Sequence, residues 1–266
     1  MEIILICPFK NEVSINSSFE ILKLLLKKKI SVSVDRDLFK KIKNIEQNIE
    51  INLHDDLNLS ADFIFCIGGD GSMLKAVSFL KQNQIPILGI NIGRIGFLTG
   101  IQKEKLEIGI DSLKSKNYSL VKRELLTLKF NSKVDLEFPC ALNEITVSRK
   151  NTASLISIET TIDKIKLSKY WADGLIIATP TGSTGYNLSC GGPIMLPETP
   201  SIVITPIAAH NLNVRPLVVP NESIIELKVD GQGTGTEHFL TLDSKLISLP
   251  YKTKITISKA FFSVNT

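Results

Sequence analysis

The chain has little that would staple it, wire it to a metal or anchor it in a membrane. Its 266 residues hold four cysteines and three histidines. Cys7, Cys66, Cys140 and Cys190 are far apart and form no C-x-x-C pair. That spacing argues against a clustered zinc site, and buried free thiols in a reducing cytosol are expected. No run approaches the ~20 apolar residues of a membrane span. The apolar stretch in residues 1–8 is too short for a signal peptide, so a cytoplasmic location is expected. Aromatics make up 6% of the chain, the lysines are scattered, and the net charge is only +4. This charge suits an anionic ligand but leaves no nucleic-acid footprint. There is no G-x-x-x-x-G-K-[ST] run and no G-x-G-x-x-G. Gly231-Gln232-Gly233-Thr234-Gly235 comes nearest, without the right spacing or the strand-to-helix context. A P-loop is excluded, and the fingerprint of a dinucleotide-dependent dehydrogenase is missing.

What is present is an ordered change of pattern. Hydrophobic residues make up 43% of the chain, and mean hydropathy is +0.16, as in a well-packed globular protein. Residues 3–7, 30–34, 63–67 and 85–90 read as short strands buried on both faces, with a helix over 73–82. Ser17-Ser18-Phe19-Glu20 reads as a capping box opening a helix that runs to Lys29. Lys27-Lys28-Lys29 then falls in its last turn, as a solvated helix end or a binding patch. Strands alternating with helices imply a parallel sheet covered on both faces. Beyond residue 120 helical periodicity fades. Residues 125–130, 141–147, 155–162, 174–179, 202–206, 224–229 and 239–242 are short and strand-like, most of them set off by Gly, Pro, Asn or Asp. The expected architecture is an α/β N-terminal domain with a parallel sheet (1–121), then an all-β, sandwich-like domain (122–258). A C-terminal tail (259–266) is free to return to the first domain.

Three segments carry chemistry. Phe63-Ile64-Phe65-Cys66-Ile67-Gly68-Gly69-Asp70-Gly71-Ser72 is a strand ending in glycines where a helix begins. Ligands collect at the carboxyl ends of such strands, and helix N-termini favour phosphate. A carboxylate there repels phosphate, yet it can orient and deprotonate an attacking hydroxyl, which is the arrangement of a kinase. An ordinary βα turn with a capping Asp is the alternative. Asn91-Ile92-Gly93-Arg94-Ile95-Gly96-Phe97-Leu98 forms a second glycine loop at the same edge, with Arg94 as a phosphate partner or a solvated arginine. Asn143-Glu144 sits in an apolar strand, where a carboxylate needs a partner. It reads as a ligand pair or as a structural salt bridge, and alternation sends the two side chains to opposite faces unless the strand ends or bulges there. Finally, residues 173–193 lead from an apolar strand into a dense set of glycines and hydroxyl residues around Tyr186, suited to a planar base and a ribose.

Gly68-Gly69-Asp70-Gly71, Asn91-x-Gly93-x-x-Gly96-Phe97-Leu98, Asn143-Glu144, Asp173-Gly174 and Thr179-Pro180-Thr181-Gly182-Ser183-Thr184-Gly185-Tyr186 occur in this order. Together they resemble the NAD kinase family over nearly the whole chain. The first motif is shared with diacylglycerol, sphingosine and phosphofructo kinases, whereas the last is far more specific. The resemblance implies transfer of the ATP γ-phosphoryl group to the adenosine 2′-hydroxyl of NAD. In that reading Asp70 is the base and Gly71 lies against the ligand, with Lys75 assisting. Asn143, Glu144 and Asp173 bind the dinucleotide; Thr184, Gly185, Tyr186 and Ser189 surround base and ribose, with Ala208 nearby. Gly185 stands where the family has alanine, and Lys245 where some members have glutamine. The resemblance further implies Mg²⁺ or another divalent cation with ATP, a polyphosphate donor as the other option, and a homodimer or homotetramer. No metal site on the protein, nucleic-acid partner or membrane partner is expected. A non-catalytic dinucleotide sensor and a lipid kinase of the same superfamily are the alternatives.

Overall fold

The computed structural model describes residues 1–45, 52–54, 60–94, 96–151, 154–167, 169–211, 213–231 and 235–266. Ile95 and residues 232–234 of the Gly231–Gly235 run therefore lie outside the described residues. Contacts divide the chain into two units, Met1–Lys122 with Val264–Thr266, and Arg123–Ser263.

In the first unit, strands β1 (Glu2–Ile6), β2 (Ser31–Asp35), β3 (Asn52–His54), β4 (Phe63–Gly68), β5 (Ile87–Asn91) and β6 (Ile101–Gln102) form one sheet in the order β3-β2-β1-β4-β5-β6. Every pairing in it is parallel. Helices α1 (Glu12–Lys27), α2 (Arg36–Lys43), α3 (Asp70–Leu80) and α4 (Leu106–Lys114) connect or follow the strands. Alternation decides which side chains meet which helix. Ile3, Leu5, Val32, Val34, Phe65 and Ile67 pack with Leu22 and Leu25 of α1, Leu38 and Ile42 of α2, and Leu106 and Ile110 of α4. On α3, Met73 lies against Gly89 of β5. Each such fully buried side chain contributes about 1.5–3 kcal/mol, so helix cover is what makes two-faced apolar strands possible.

Local expectations in this unit need two corrections. Helix α1 starts at Glu12, because Asn11 Oδ1 accepts the Ser14 N–H at 2.9 Å and caps it earlier. Ser17-Ser18-Phe19-Glu20 therefore lies inside the helix, where Ser18 Oγ donates back to the Ser14 carbonyl at 2.7 Å. The triple lysine is more than a solvated end. Lys28 Nζ reaches Glu107 at 3.1 Å and Asp111 at 2.8 Å on α4.

The second unit is all-β apart from short helical turns, and its strands pair antiparallel. One sheet holds β7 (Lys122–Phe130), β8 (Cys140–Ala141), β10 (Ile156–Ile162), β11 (Ile165–Lys166), β12 (Tyr170–Ala172), β16 (Ile225–Gly231) and β19 (Lys254–Asn265). The other runs β15-β14-β13-β9-β17-β18, made of β9 (Glu144–Arg149), β13 (Gly174–Ala178), β14 (Ser201–Ile207), β15 (Leu217–Pro220), β17 (Glu237–Leu242) and β18 (Lys245–Pro250). Ile145, Val147, Leu175, Ile177 and Leu240 from the second sheet share a core with Ile156, Ile158, Leu227, Ile255 and Ile257 from the first. That is the sandwich expected from the sequence. The parallel α/β unit and the β-sandwich unit stand as the pattern implied. The structure splits the expected strand at 141–147, since β8 ends at Ala141 and β9 begins at Glu144.

Candidate functional site

In the parallel unit the chain order reverses between the neighbours β1 and β4. The carboxyl ends of strands at such a switch point form a ligand crevice. Helix α3 begins there at Asp70, capped by Gly69 without a side-chain bond. The loop after β5 folds onto the carboxylate. Asp70 Oδ2 accepts the Phe97 N–H at 2.9 Å, and Oδ1 accepts the Leu98 N–H at 3.0 Å. A Cβ at position 96 would stand 2.1 Å from Asp70 Oδ1, so only glycine permits this approach. Asn91 shapes the same loop from within. Its Nδ2 donates to the Arg94 carbonyl at 2.7 Å and to Thr99 Oγ1 at 3.0 Å, while its Oδ1 accepts the Gly93 N–H at 2.8 Å. Arg94 and Phe97 are exposed.

Lys75 lies one helical turn beyond Gly71 on α3. Its ammonium stands 3.8 Å from the ring centroid of Phe9, in the loop after β1. The same ring comes 3.7 Å from where a Gly71 Cβ would be. This cation–π contact holds a positive charge beside a helix N-terminus. Phe9 was not singled out in the sequence; the adjacency of β1 and β4 in a doubly wound order is the signal that points to it.

In the sandwich unit a second constellation surrounds the break between β8 and β9. The Asp243 carboxylate, in the turn joining β17 to β18, accepts three consecutive amides: Leu142 at 2.8 Å, Asn143 at 2.8 Å and Glu144 at 3.1 Å. On the other side, Thr179 Oγ1 donates to the Leu142 carbonyl at 2.6 Å and the Thr179 N–H to the Asn143 carbonyl at 2.9 Å. Asn143 therefore sits outside β9, and alternation does not separate it from Glu144. Both side chains face Gly185, where a Cβ would lie 3.1 Å from Glu144 Oε2 and 3.4 Å from Asn143 Nδ2. Glu144 Oε2 and Asn143 Oδ1 are buried and accept no hydrogen bond among the described residues. Burial and the neighbouring Asp243 charge push the Glu144 carboxyl up to about 8. Burial also raises Asp243, against the three amides that favour its ionised form.

The glycine- and hydroxyl-rich segment begins after β13 and includes the short helix α5 (Tyr186–Ser189). Much of its hydroxyl content serves the scaffold. Gly182 N–H donates to Thr179 Oγ1 at 3.0 Å, Arg123 Nη1 to Thr181 Oγ1 at 3.3 Å, and Ser183 Oγ to the Met195 carbonyl at 3.2 Å. Buried Asn187 ties the segment down, with Nδ2 donating to the Ser183 carbonyl at 2.9 Å and Oδ1 accepting Thr205 Oγ1 at 2.6 Å. Tyr186, Ser189 and, in part, Thr184 remain accessible. The Tyr186 hydroxyl is pushed up first by burial, then by Cys190, with Asp173 and Glu144 adding to it. Asp173 pairs with Arg149 Nη2 at 2.9 Å, a partner the sequence did not announce. Its N–H donates to the Ile207 carbonyl at 2.9 Å, which brings in the adjacent Ala208, held at φ +46°. Cys7, Cys66 and Cys140 are buried free thiols as expected, but Cys190 is only half-buried beside Tyr186.

Thus Asp70, Gly71 and Lys75 gather on the first unit, and Asn143, Glu144, Asp173, Thr184, Gly185, Tyr186, Ser189 and Ala208 on the second. Among the described residues no group of three or more His, Cys, Asp or Glu is arranged to hold a metal ion.

Comparison with known proteins covers both units. The family model for the ATP-NAD kinase N-terminal domain matches residues 3–118, and that for the ATP-NAD kinase C-terminal domain matches residues 142–266. An NAD kinase of Christiangramia forsetii is 47% identical over 252 residues, spanning 92% of this chain and 85% of the relative. One from Flavobacterium psychrophilum is 50% identical over 216 residues, 80% of this chain and 72% of the relative. Among solved structures, an NAD kinase from Archaeoglobus fulgidus in complex with ATP shares 26% identity at a TM-score of 0.75, over 100% of this chain and 92% of that one. Yeast NADH kinase complexed with NADH, at 24% identity, shares the fold at a TM-score of 0.87 over 100% of this chain and 82% of that one.

Proposed function

The chain belongs to the NAD kinase family, and on that premise we propose that it transfers the γ-phosphoryl group of ATP to the adenosine 2′-hydroxyl of NAD, giving NADP and ADP. The observation that carries the reading is the Asp70 carboxylate, fixed by two backbone amides at a helix N-terminus. Each of its oxygens retains acceptor capacity beyond the amide it takes. In the proposed reaction the acceptor hydroxyl donates to Asp70. As its oxygen forms a bond to the γ-phosphorus, the bond from that phosphorus to the β–γ bridging oxygen breaks. The hydroxyl proton passes to Asp70, and ADP leaves with the bridging oxygen's electron pair. Lys75 and the amides of the glycine loops offset phosphate charge, and most of the acceleration comes from such positioning and charge neutralisation.

Asn143, Glu144, Asp173, Thr184, Gly185, Tyr186, Ser189 and Ala208 would receive the dinucleotide. Support comes from the buried Asn143 Oδ1 and Glu144 Oε2, which accept no hydrogen bond among the described residues, and from the exposed tyrosine face. A divalent cation such as Mg²⁺ would arrive with the phosphates of ATP. A cytoplasmic setting accords with four free cysteines. Among the described residues no helix is long and apolar enough to cross a membrane. A homodimer or homotetramer would cover exposed apolar side chains such as Leu196, 72% exposed, and Phe261, 82% exposed.

The test is to incubate purified protein with NAD, ATP and Mg²⁺ and to measure NADP with an NADP-specific dehydrogenase, with Asp70→Asn run alongside. NADP from the wild type and almost none from the variant is expected. Tight NAD binding without NADP would make the protein a sensor, or one that uses another phosphoryl donor such as polyphosphate.

A further inference from the structure

Two side chains adjacent in sequence at the edge of a strand normally point to opposite faces. Asn143 and Glu144 do not, and the cause lies 100 residues further along the chain. Three successive amides, from Leu142 to Glu144, converge on Asp243, while the carbonyls of Leu142 and Asn143 turn the other way to Thr179. Such a concavity of consecutive amides is an anion site, and here the chain fills it with its own carboxylate. Asp243 also takes a left-handed backbone, φ +48°, in the turn between β17 and β18. Its own N–H donates to the Glu144 carbonyl at 3.0 Å. The residue is thus clasped to the bend through both backbone and side chain.

We propose that Asp243 is a positioning residue for the acceptor subsite, turning the Asn143 and Glu144 side chains side by side toward the ligand and placing a second negative charge behind Glu144. This rests on the reading of these residues as the dinucleotide site. Glu144 faces Asp243 from the β17–β18 turn and Tyr186 from α5; Asp173, just before β13, adds a further charge that Arg149 offsets. Burial, with the Asp243 charge adding to it, pushes the Glu144 carboxyl up to about 8, so at neutral pH Glu144 keeps its proton. Ribose hydroxyls donating to Glu144 favour its ionised form, so binding releases that proton.

Asp243→Asn keeps the shape and a left-handed backbone that asparagine tolerates, but removes the charge and one acceptor. Two readouts decide the matter. In ligand-free protein, ¹³C NMR of the Glu144 carboxyl is expected to show its titration midpoint fall by about one pH unit or more in the variant. In the coupled assay the KM for NAD is expected to rise roughly tenfold or more, with the KM for ATP nearly unchanged. Asp243→Gly, which meets the backbone requirement without strain, is expected to show the same split in KM should the Asn variant fold poorly. A wild-type KM for NAD in either variant, or a loss of thermal stability without any split between the two substrates, overturns the proposal. Failure of the wild type to bind NAD overturns instead the functional reading, and the Glu144 midpoint still decides whether Asp243 governs that carboxyl.

Discussion

The two units handle carboxylates in opposite ways. In the parallel unit Asp70 is held by two amides and remains partly open at a helix N-terminus. In the sandwich unit Glu144 presents a buried oxygen with no partner among the described residues, and the amides nearby serve Asp243 instead. The first arrangement fixes the direction of a carboxylate that the proposed reaction would use. The second buries an oxygen that accepts no hydrogen bond among the described residues, a cost that the donors of a ligand would offset in the proposed reading. In the proposed reading, reaction and recognition divide between a satisfied acid and an unsatisfied one.

The largest expected effect breaks the reactive side of that contrast. Asp70→Asn should lower turnover by at least about 10²–10⁴-fold, the usual scale of general-base catalysis, with melting temperature and NAD affinity little changed. Near-wild-type turnover would remove Asp70 from the chemistry. Gly96→Ala comes next, because its Cβ would stand 2.1 Å from Asp70 Oδ1 and must displace the carboxylate. Turnover should fall by roughly ten- to a hundredfold, as misplacement of a reacting group does, in a protein that still folds. An active Gly96→Ala enzyme would show that the amide clasp is dispensable.

The recognition side can be sharpened by pH. Glu144 titrates at about 8 in the folded protein against 4.5 ordinarily. Between those values the folded state keeps a proton that the unfolded chain releases, so stability declines as pH rises through that window. Glu144→Gln should flatten the decline, making the variant more stable than wild type at pH 8 by about 1–3 kcal/mol. Melting temperatures measured at pH 5 and pH 8 test this, and parallel pH dependences in the two proteins would refute it. The smallest effect concerns His238, fully buried in β17, stacked on Tyr251 at 5.9 Å, with neither ring nitrogen partnered among the described residues. Burial lowers it to about 4 from 6.5. Here the unfolded chain binds the extra proton, so stability is lost as pH falls from about 6.5 toward 4. His238→Phe should remove that acid-side loss, read as a smaller drop in melting temperature between pH 7 and pH 5.

Much of this was legible in the sequence. Buried two-faced strands in the first half, short punctuated strands in the second, and glycines flanking Asp70 follow from local patterns. The misreadings were local competitions. Asn11 capped α1 before the Ser17 box could, and Lys28 found acids on α4 that lie some 80 residues on, Glu107 and Asp111. Thr179, Thr181 and Ser183, in a segment read as a whole as suited to a base and a ribose, are engaged within the scaffold.

Sequence by itself determined the parallel α/β half and the all-β half, which turns need glycine and which residue types could do phosphoryl chemistry, because periodicity and backbone preference act over a few neighbours. It missed strands such as β12, β18 and β19. Only the tertiary structure decided that Phe97 and Leu98 hold Asp70, that Phe9 carries Lys75, that Arg149 pairs with Asp173, and that Asp243 bends the chain at Asn143. These partners are set by strand order and register, which bring together residues that local patterns cannot connect.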